Sequence, residues 1–188
     1  MPSSVEKQIL ATIAYYDIFD YPLTSHEIFS YLIGRGGNEN GGCKNSLGDI
    51  LDCLERSETL KSKIGVKYGF FFLNGRDVIV AKRLDRKKTA DQKWKRAKKI
   101  FRIMQIIPFL QSIFVSGSLA LGNSREDSDI DIMIVAKKGR IWTVRVLVTI
   151  LTAILGVRRH KKVTENRICL NHYITDQSLQ IPFQSIYN

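Results

Sequence analysis

The sequence contains few cysteines: Cys43, Cys53 and Cys169 are far apart and form no CxxC pair. An odd number of scattered cysteines argues against a disulfide framework and against a structural zinc site. Residues 1–8 also lack the apolar segment of a secretory signal. Together these absences predict a protein of the reducing cytoplasm.

Long apolar runs are also missing. The most apolar stretch, residues 141–155, is interrupted by Arg145 and is shorter than the roughly 20 residues of a membrane span. It predicts a buried helix, and we expect no membrane partner. Apolar residues make up 44% and charged residues 25% of the 188 residues. This balance argues against a largely disordered chain and allows one domain or two small ones.

Acidic residues are scarce relative to basic ones, with 18 against 29, and the formal net charge is +11. A surplus of this size attracts phosphate groups. Residues 77–106 predict one helix that ends before Pro108. Trp94, Ala97, Phe101 and Met104 recur there every three or four positions, which predicts one buried stripe. Between residues 81 and 103 only two acidic residues accompany these basic ones: Lys82, Arg83, Arg86, Lys87, Lys88, Lys93, Lys95, Arg96, Lys98, Lys99 and Arg102. The basic side chains of this helix either form a solvated face or contact nucleic acid or another polyanion.

The N-terminal part predicts three helices followed by a hairpin. Thr24 and Glu27 form the sequence signature of a capping box at the start of the second helix. The glycine-rich residues 34–42 predict a loop between the second and third helices. Two β-prone stretches in residues 60–73, parted near Gly65, predict the hairpin.

This order of elements is typical of a winged helix-turn-helix module, which we place at residues 1–80. The third helix carries Asp49, Asp52 and Glu55 and only one basic residue, Arg56. An acidic helix reads a major groove poorly, because the DNA backbone repels it. A scaffold or dimerisation role is therefore at least as well supported as DNA binding.

One segment carries a pattern suited to phosphate and metal chemistry. A β-prone run, residues 112–116, leads into Gly117-Ser118, and after ten further residues Asp129 and Asp131 begin an apolar strand. The period of two in a strand places both carboxylates on one face. Neighbouring carboxylates repel each other unless a cation lies between them, and a hard divalent ion such as magnesium suits oxygen ligands. Glycine lets the backbone approach a phosphate, and the serine hydroxyl can donate to it.

This combination of a strand, Gly-Ser, a ten-residue spacer and Asp-Ile-Asp resembles the signature of the polymerase-β-like nucleotidyltransferase superfamily. The resemblance is close over residues 113–135 and looser to about residue 175. We therefore expect an α+β chain in three parts. A winged-helix-like module covers residues 1–80, a long basic linker helix covers residues 81–107, and a small mixed-sheet nucleotidyltransferase core with flanking helices covers residues 108–188, shortened at its C-terminus.

The resemblance implies a reaction that depends on Mg²⁺ or Mn²⁺ and takes a nucleoside triphosphate as its substrate. Gly117 and Ser118 would bind the triphosphate, and Ser128 would either contact the nucleotide or cap a loop. Asp129 and Asp131 would be the catalytic residues and the metal ligands. A hydroxyl acceptor would receive the nucleoside monophosphate.

The third carboxylate of the superfamily is not evident. Active members generally supply it from a later strand, but the strand predicted at residues 167–175 contains Asn171 and no acidic residue. Three interpretations are open. Asn171 replaces the acid as a neutral catalytic ligand, Glu165 or Asp176 reaches in from a flank, or the site binds nucleotide without transferring it. We prefer the first interpretation.

Two basic features are further candidates for phosphate contact. Arg145 interrupts the apolar helix and is expected to pair with a buried group. Arg158 and Arg159 begin a basic turn, residues 158–162, close to the predicted strand. They could meet a triphosphate, or they could complement the dipole of the preceding helix.

The sequence leaves two functions open. One is a metal-dependent nucleotidyltransferase whose acceptor is a nucleic-acid 3′ end, a small molecule or a protein hydroxyl. The other is a catalytically degenerate regulatory protein that senses nucleotide or binds DNA through the winged helix. The basic helix fits both, and within the first it favours a polyanionic acceptor.

Overall fold

The computed structural model describes residues 4–34, 45–159 and 165–179. Most of the predicted glycine-rich loop and the basic turn after Arg159 lie outside these residues. The described chain divides into two compact units, one up to Leu84 and one from Asp85 onward. Each unit contains both helices and strands, so the α+β prediction is confirmed.

In the described residues, the first unit has four helices, a β-hairpin and the first turns of a longer helix. Its elements are α1 (Ser4–Asp17), α2 (Ser25–Ser30), α3 (Leu47–Arg56), α4 (Glu58–Lys63), β1 (Ile64–Lys67) and β2 (Phe70–Leu73). The predicted capping box starts α2: the Thr24 hydroxyl accepts from the Glu27 N–H at 3.3 Å, and the Glu27 carboxylate accepts from the Thr24 N–H at 2.8 Å. These bonds satisfy backbone donors that a helix leaves without partners at its start.

The hairpin begins later than predicted. The residues before Ile64 form α4 rather than a strand, since the Ser57 side chain caps this helix. Gly65 lies within β1, where the ring of Phe72 covers it and a Cβ would come within 2.5 Å of that ring. The turn is made instead by Tyr68 and Gly69, with φ of 53° and 78°. Two consecutive residues with positive φ are typical of a two-residue hairpin loop.

The helices of the first unit and the hairpin share one apolar core. Its fully buried members include Ile9, Ile13, Leu23, Ile28, Ile50 and Leu60. Leu23 also pairs with Phe71 of β2 through two backbone hydrogen bonds of 3.0 and 2.7 Å. The hairpin is thereby fixed beside the segment that precedes α2. The winged-helix assignment and its DNA-binding role stay predictions.

Helix α5 (Val78–Met104) corresponds to the predicted basic helix. From Asp85 onward it belongs to the second unit, where it buries Ala90, Lys93, Ala97, Ile100 and Met104. The buried stripe differs from the predicted one, because Trp94 and Phe101 are only partly buried. One of the basic residues counted on the solvated face, Lys93, lies on the buried face.

In the part of the chain that the structure describes, the second unit is built on a three-stranded mixed sheet. After α5 come β3 (Leu110–Val115), α6 (Gly117–Ala120), β4 (Ile130–Ala136), α7 (Ile141–Ile154) and β5 (Ile168–Thr175). The central strand β4 is antiparallel to β3 and parallel to β5. Its alternate residues Ile130, Ile132 and Ile134 are fully buried in one core with residues of α5 and α7. The opposite face of the strand therefore carries Asp131.

Helix α7 confirms the helix predicted in the apolar stretch, but the prediction that it is buried was wrong for one of its faces. Val144, Val148 and Thr152 are buried, whereas Trp142, Val146, Ile150 and Ile154 are exposed. The helix is followed by Gly156 with φ 62°, a common way for a helix to end. Arg145 differs from the expectation: it is exposed, and its guanidinium lies 5.4 and 5.5 Å from the ring centroids of Trp142 and Tyr173. Among the described residues, no helix is long and apolar enough to cross a membrane.

Candidate active site

The two predicted carboxylates meet beside the glycine turn. Asp129 immediately precedes β4, and Asp131 is the second residue of this strand. Both side chains lie on the same face. Oδ2 of Asp131 is so near Gly117 that a Cβ at this position would come within 2.8 Å of it. Gly117 has φ 64°, a conformation that glycine adopts without strain. The fold thus brings together three residues that the sequence assigned to the site.

The neighbouring strand contributes a residue that the sequence analysis did not assign to the site. In the parallel pairing of β4 with β5, Asp131 is opposite Cys169. The Cys169 sulfur and one oxygen each from Asp129 and Asp131 all lie within 4.8 Å of one another. Two carboxylates and a thiol at these distances fit a divalent ion. The cysteine therefore lies where a third carboxylate was expected.

Asn171 also reaches the site, but through its amide nitrogen. Its Nδ2 donates to Asp131 Oδ1 at 2.6 Å, and its Oδ1 accepts from the Cys169 thiol at 2.8 Å. A shift in the β4–β5 register leaves Asn171 without a paired residue on β4. In the structure Asn171 orients the carboxylate and the thiol, and its role as a metal ligand stays a prediction.

A cation of the chain itself lies against this cluster. Arg159 follows α7, and its Nη1 donates to Asp129 Oδ2 at 2.6 Å. The same nitrogen is 3.6 Å from the Cys169 sulfur. The backbone N–H of Arg159 donates to the Ile168 carbonyl at 3.0 Å, which fixes the residue beside the start of β5. The guanidinium thus offsets part of the negative charge of the aspartate pair.

The electrostatics of the cluster favour a further cation. Burial raises the pKa of Asp131 above its ordinary value, and the negative charge of Asp129 raises it further. Burial likewise raises the pKa of the Cys169 thiol, although the hydrogen bond from Arg159 opposes this shift. A divalent ion beside these groups would favour their ionised forms.

Lys93 holds the loop that leads into Asp129. Its side chain is 3% exposed, and Nζ donates to the carbonyls of Arg125, Glu126 and Ser128 at 2.6, 3.1 and 2.6 Å. Nζ also donates to Ser128 Oγ at 2.9 Å, and that hydroxyl donates to the Arg125 carbonyl at 2.8 Å. Burial lowers the pKa of Lys93 below its ordinary value. Ser128 caps the loop in the structure, and its contact with nucleotide stays a prediction.

Comparison with known families identifies the segment that contains these residues. Residues 91–178 match a family model described as a nucleotidyltransferase domain. This segment is a nucleotidyltransferase domain. The match confirms the resemblance inferred from Gly117-Ser118 and the aspartate pair. Neither the curated proteins nor the solved structures gave a match to the chain.

The family match supports nucleotidyl transfer as the general chemistry of the domain. Enzymes of this kind usually work with a divalent metal, and the cluster at Asp129 has a donor set that fits one. The glycine turn, the aspartate pair and Cys169 all lie inside the matched segment. Helix α6, which begins at Gly117, carries Ser118, whose Oγ is 3.5 Å from that of the buried Ser124.

Neither flanking acid joins the aspartate pair within the described part of the nucleotidyltransferase domain. Asp176 follows the far end of β5, where it accepts from the Lys138 N–H at 2.9 Å. Glu165 lines a separate cavity of about 300 Å³ together with Lys93, Arg96 and Glu126. The structure thus offers Cys169, and not a displaced acid, beside the pair.

Several basic residues of α5 are paired within their own unit. Lys82 pairs with Asp20 in the first unit, and Lys87 pairs with Asp91 in the second unit. Five exposed cations have no acidic partner among the described residues: Lys95, Arg96, Lys98, Lys99 and Arg102. We call these five residues the basic face. The surface that can meet a polyanion is therefore smaller than the set of basic residues in 81–103 predicts.

Sequence reasoning missed two residues of the site, and each had a usable signal. Cys169 lies two positions before Asn171, so the period of two already places both side chains on one face of β5. Lys93 lies three and four positions from Ala90 and Ala97, on a stripe of helical spacing that the core buries. The contact of Arg159 with Asp129 joins residues far apart in the sequence, and only the fold shows it.

Proposed function

We propose that the nucleotidyltransferase domain transfers a nucleoside monophosphate from a nucleoside triphosphate to a hydroxyl acceptor, with Mg²⁺ or Mn²⁺ bound at Asp129 and Asp131. The observation that carries this proposal is the cluster of the two carboxylates and Cys169, whose ligand atoms lie within 4.8 Å of one another. Beside it, Gly117 lets the Asp131 carboxylate lie against the backbone, where a side chain at position 117 would clash with it. Carboxylates held this close are destabilising without a cation.

Each of these residues has a distinct part in the proposed reaction. Asp129 and Asp131 would hold the divalent ion, which when bound neutralises charge on the triphosphate and the leaving pyrophosphate. The Ser118 hydroxyl and the backbone N–H groups after Gly117 would donate to phosphate oxygens. Arg159 would exchange the Asp129 carboxylate for a phosphate oxygen, because a guanidinium donates to both anions in the same planar geometry.

The basic face supports a polyanion as the acceptor. Its five exposed cations occupy consecutive turns of α5, and Lys98 Nζ lies 5.9 Å from the ring centroid of the partly buried Trp94. A nucleic-acid strand supplies both the phosphates that such a face attracts and a terminal hydroxyl that can be extended. We therefore favour a nucleic-acid 3′ end over a small-molecule or protein acceptor.

A second candidate function, nucleotide sensing without transfer, also has one observation in its favour. The residue opposite Asp131 on β5 is a cysteine, and the nearby Asn171 presents a donor rather than an acceptor to that carboxylate. A third carboxylate would orient the attacking hydroxyl and take its proton. A domain that lacks it could bind a nucleotide and transfer none.

Incubation with labelled nucleotides distinguishes the two functions. The chain is mixed with each α-labelled nucleoside triphosphate, Mg²⁺ or Mn²⁺, and an oligonucleotide with a free 3′ hydroxyl. We expect label in the acceptor and release of pyrophosphate, both lost in Asp131→Asn and both kept in Asp176→Asn. Nucleotide binding without label in this acceptor, a small-molecule acceptor or a protein acceptor would support sensing instead.

The basic face is tested with two variants of equal net charge. Lys95→Glu/Lys99→Glu reverses two residues of the face, whereas Lys87→Glu/Lys88→Glu reverses two cations that pair with Asp91 and Asp85. Binding of a single-stranded oligonucleotide is measured by fluorescence anisotropy at several salt concentrations. We expect the first variant to reduce the slope of log affinity against log salt by about 0.7 per lost phosphate contact. An equal loss in both variants would point to net charge alone.

A further inference from the structure

Cys169 occupies a defined position relative to both aspartates. It lies opposite Asp131 in the β4–β5 pairing, on the face away from the core that buries Ile130 and Ile132. Its sulfur and an oxygen from each aspartate fall within 4.8 Å of one another, so all three atoms can contact a single ion. The thiol is half-buried, and it donates to Asn171 Oδ1 at 2.8 Å. The sulfur therefore lies on the same face of the sheet as the two carboxylates.

A positive charge already lies between one aspartate and the sulfur. Arg159 Nη1 is 2.6 Å from Asp129 Oδ2 and 3.6 Å from Cys169 Sγ. Because the guanidinium contacts both atoms, the space beside them accommodates a cation, and the local negative charge attracts one. The chain's own cation thus marks the place where a metal ion would meet the same two residues.

We propose that Cys169 is the third protein ligand of the divalent ion held by Asp129 and Asp131, and that its sulfur shifts the ion preference from Mg²⁺ toward borderline ions such as Co²⁺ and Zn²⁺. The inference rests on the proposed function and specifies its metal. Mg²⁺ prefers oxygen ligands throughout, whereas thiolate ligands favour softer ions. A mixed set of two carboxylates and one thiolate therefore binds Co²⁺ or Zn²⁺ more tightly than an all-oxygen set does.

Asn171 fits the role of a positioning residue in this arrangement. Its Nδ2 donates to Asp131 Oδ1 and its Oδ1 accepts from the Cys169 thiol, so one amide fixes two ligands at once. Binding of an ion would replace the thiol proton, since a cysteine coordinates metal as the thiolate. Asn171 would then hold the carboxylate alone, as residues behind metal ligands commonly do.

A cobalt titration tests the thiolate ligand directly. CoCl₂ is added to the full chain, and the near-ultraviolet absorbance of sulfur-to-cobalt charge transfer is recorded. Because the sequence has only three cysteines, the Cys43→Ser/Cys53→Ser variant retains Cys169 alone. We expect the band in the wild type and in this variant, and its loss in Cys169→Ser. A band that persists in Cys169→Ser would overturn the proposal, as would its absence from the wild type.

A second variant tests the shift in ion preference and separates this proposal from the proposed function. Cys169→Asp restores an all-oxygen set, so the ratio of Co²⁺ to Mg²⁺ affinity should fall by about tenfold or more. An unchanged ratio, with ion binding still lost in Asp131→Asn, would refute the cysteine ligand and leave the proposed function standing. Ion binding that Asp131→Asn leaves intact would refute both. Thermal melting without added metal checks that each variant is folded.

Discussion

The carboxylate of Asp131 fills the space that a side chain at position 117 would need. A Cβ on Gly117 would come within 2.8 Å of Oδ2, and the residue has φ 64°. The turn after β3 and the ligand on β4 are therefore matched to each other. The glycine that allows the backbone to approach a phosphate also allows the carboxylate to lie against that backbone.

The first prediction concerns this contact. Gly117→Ala should displace Asp131, because the added methyl group and Oδ2 cannot both keep their positions. Mn²⁺ affinity, measured by calorimetry, should fall by about tenfold or more. Gly139→Ala is the matched control, since Gly139 has φ 73° but no atom within 4 Å of an added Cβ. It should lose about 1–2 kcal/mol of stability from backbone strain and keep its Mn²⁺ affinity.

The second prediction concerns Lys93, whose ammonium group binds the loop before Asp129. Lys93→Met removes an ammonium group that contacts four oxygen atoms of the loop, and it leaves the loop carbonyls without this donor. The free energy of unfolding should fall by about 1.5–3 kcal/mol or more. The measurement is urea denaturation followed by tryptophan fluorescence, because Trp94 and Trp142 both belong to the second unit.

Lys95→Met provides the comparison for that experiment. Lys95 is on the same helix but is exposed, so its loss should change the stability by no more than about 0.5 kcal/mol. An equal loss in both variants would mean that Lys93 acts only through the charge of the helix.

The local features of the fold could be predicted from the sequence. The capping box at Thr24 depends on residues three apart, and the shared face of Asp129 and Asp131 depends only on the period of a strand. The short helix α4 was missed because residues 60–73 were assigned to two β-prone stretches, whereas the cap at Ser57 starts a helix that continues to Lys63. Helix propensity alone predicts a short helix poorly when the side chain that caps its start is not considered.

The contacts between distant segments could not be predicted in this way. Asp131 lies beside Cys169 because of the register of two parallel strands. Arg159 reaches Asp129 because the chain after α7 returns to the start of β4. The count of basic residues in α5 included Lys93 among those of a solvated face. A count of charges cannot show that loop carbonyls lie against this one position of the helix. Such contacts depend on tertiary packing, which sequence spacing does not encode.

The third prediction concerns the ion pair of Arg159 with Asp129. Arg159→Ala removes a cation that a metal ion must displace, so the affinity for Mn²⁺ without nucleotide should rise by up to about fivefold, or roughly 1 kcal/mol. Arg158→Ala changes the charge equally and should have no such effect, because in the described part of the chain Asp129 pairs with Arg159 and not with Arg158. A fall in Mn²⁺ affinity in Arg159→Ala would contradict the exchange of cations.

The fourth prediction concerns acid stability in the first unit. Burial alone would raise the pKa of Glu27, but hydrogen bonds from Arg83 and Thr24 outweigh it and hold the pKa below the ordinary 4.5. A carboxyl with a lowered pKa stabilises the fold above its ordinary pKa, and this contribution is lost as the pH falls. Urea denaturation from pH 7 to pH 3 should show Glu27→Gln less stable at pH 7 and converging on the wild type below about pH 4.5. Glu55→Gln, at an exposed position, is the comparison and should change the stability at pH 7 by no more than about 0.5 kcal/mol.

The central claim is that Asp129 and Asp131 jointly bind one divalent ion, and Mn²⁺ binding measured by electron paramagnetic resonance tests it most directly. The wild type and Asp176→Asn should each bind Mn²⁺ at one site. Asp129→Asn and Asp131→Asn should each bind it at least about tenfold more weakly. Equal Mn²⁺ affinity in all four proteins would contradict the account.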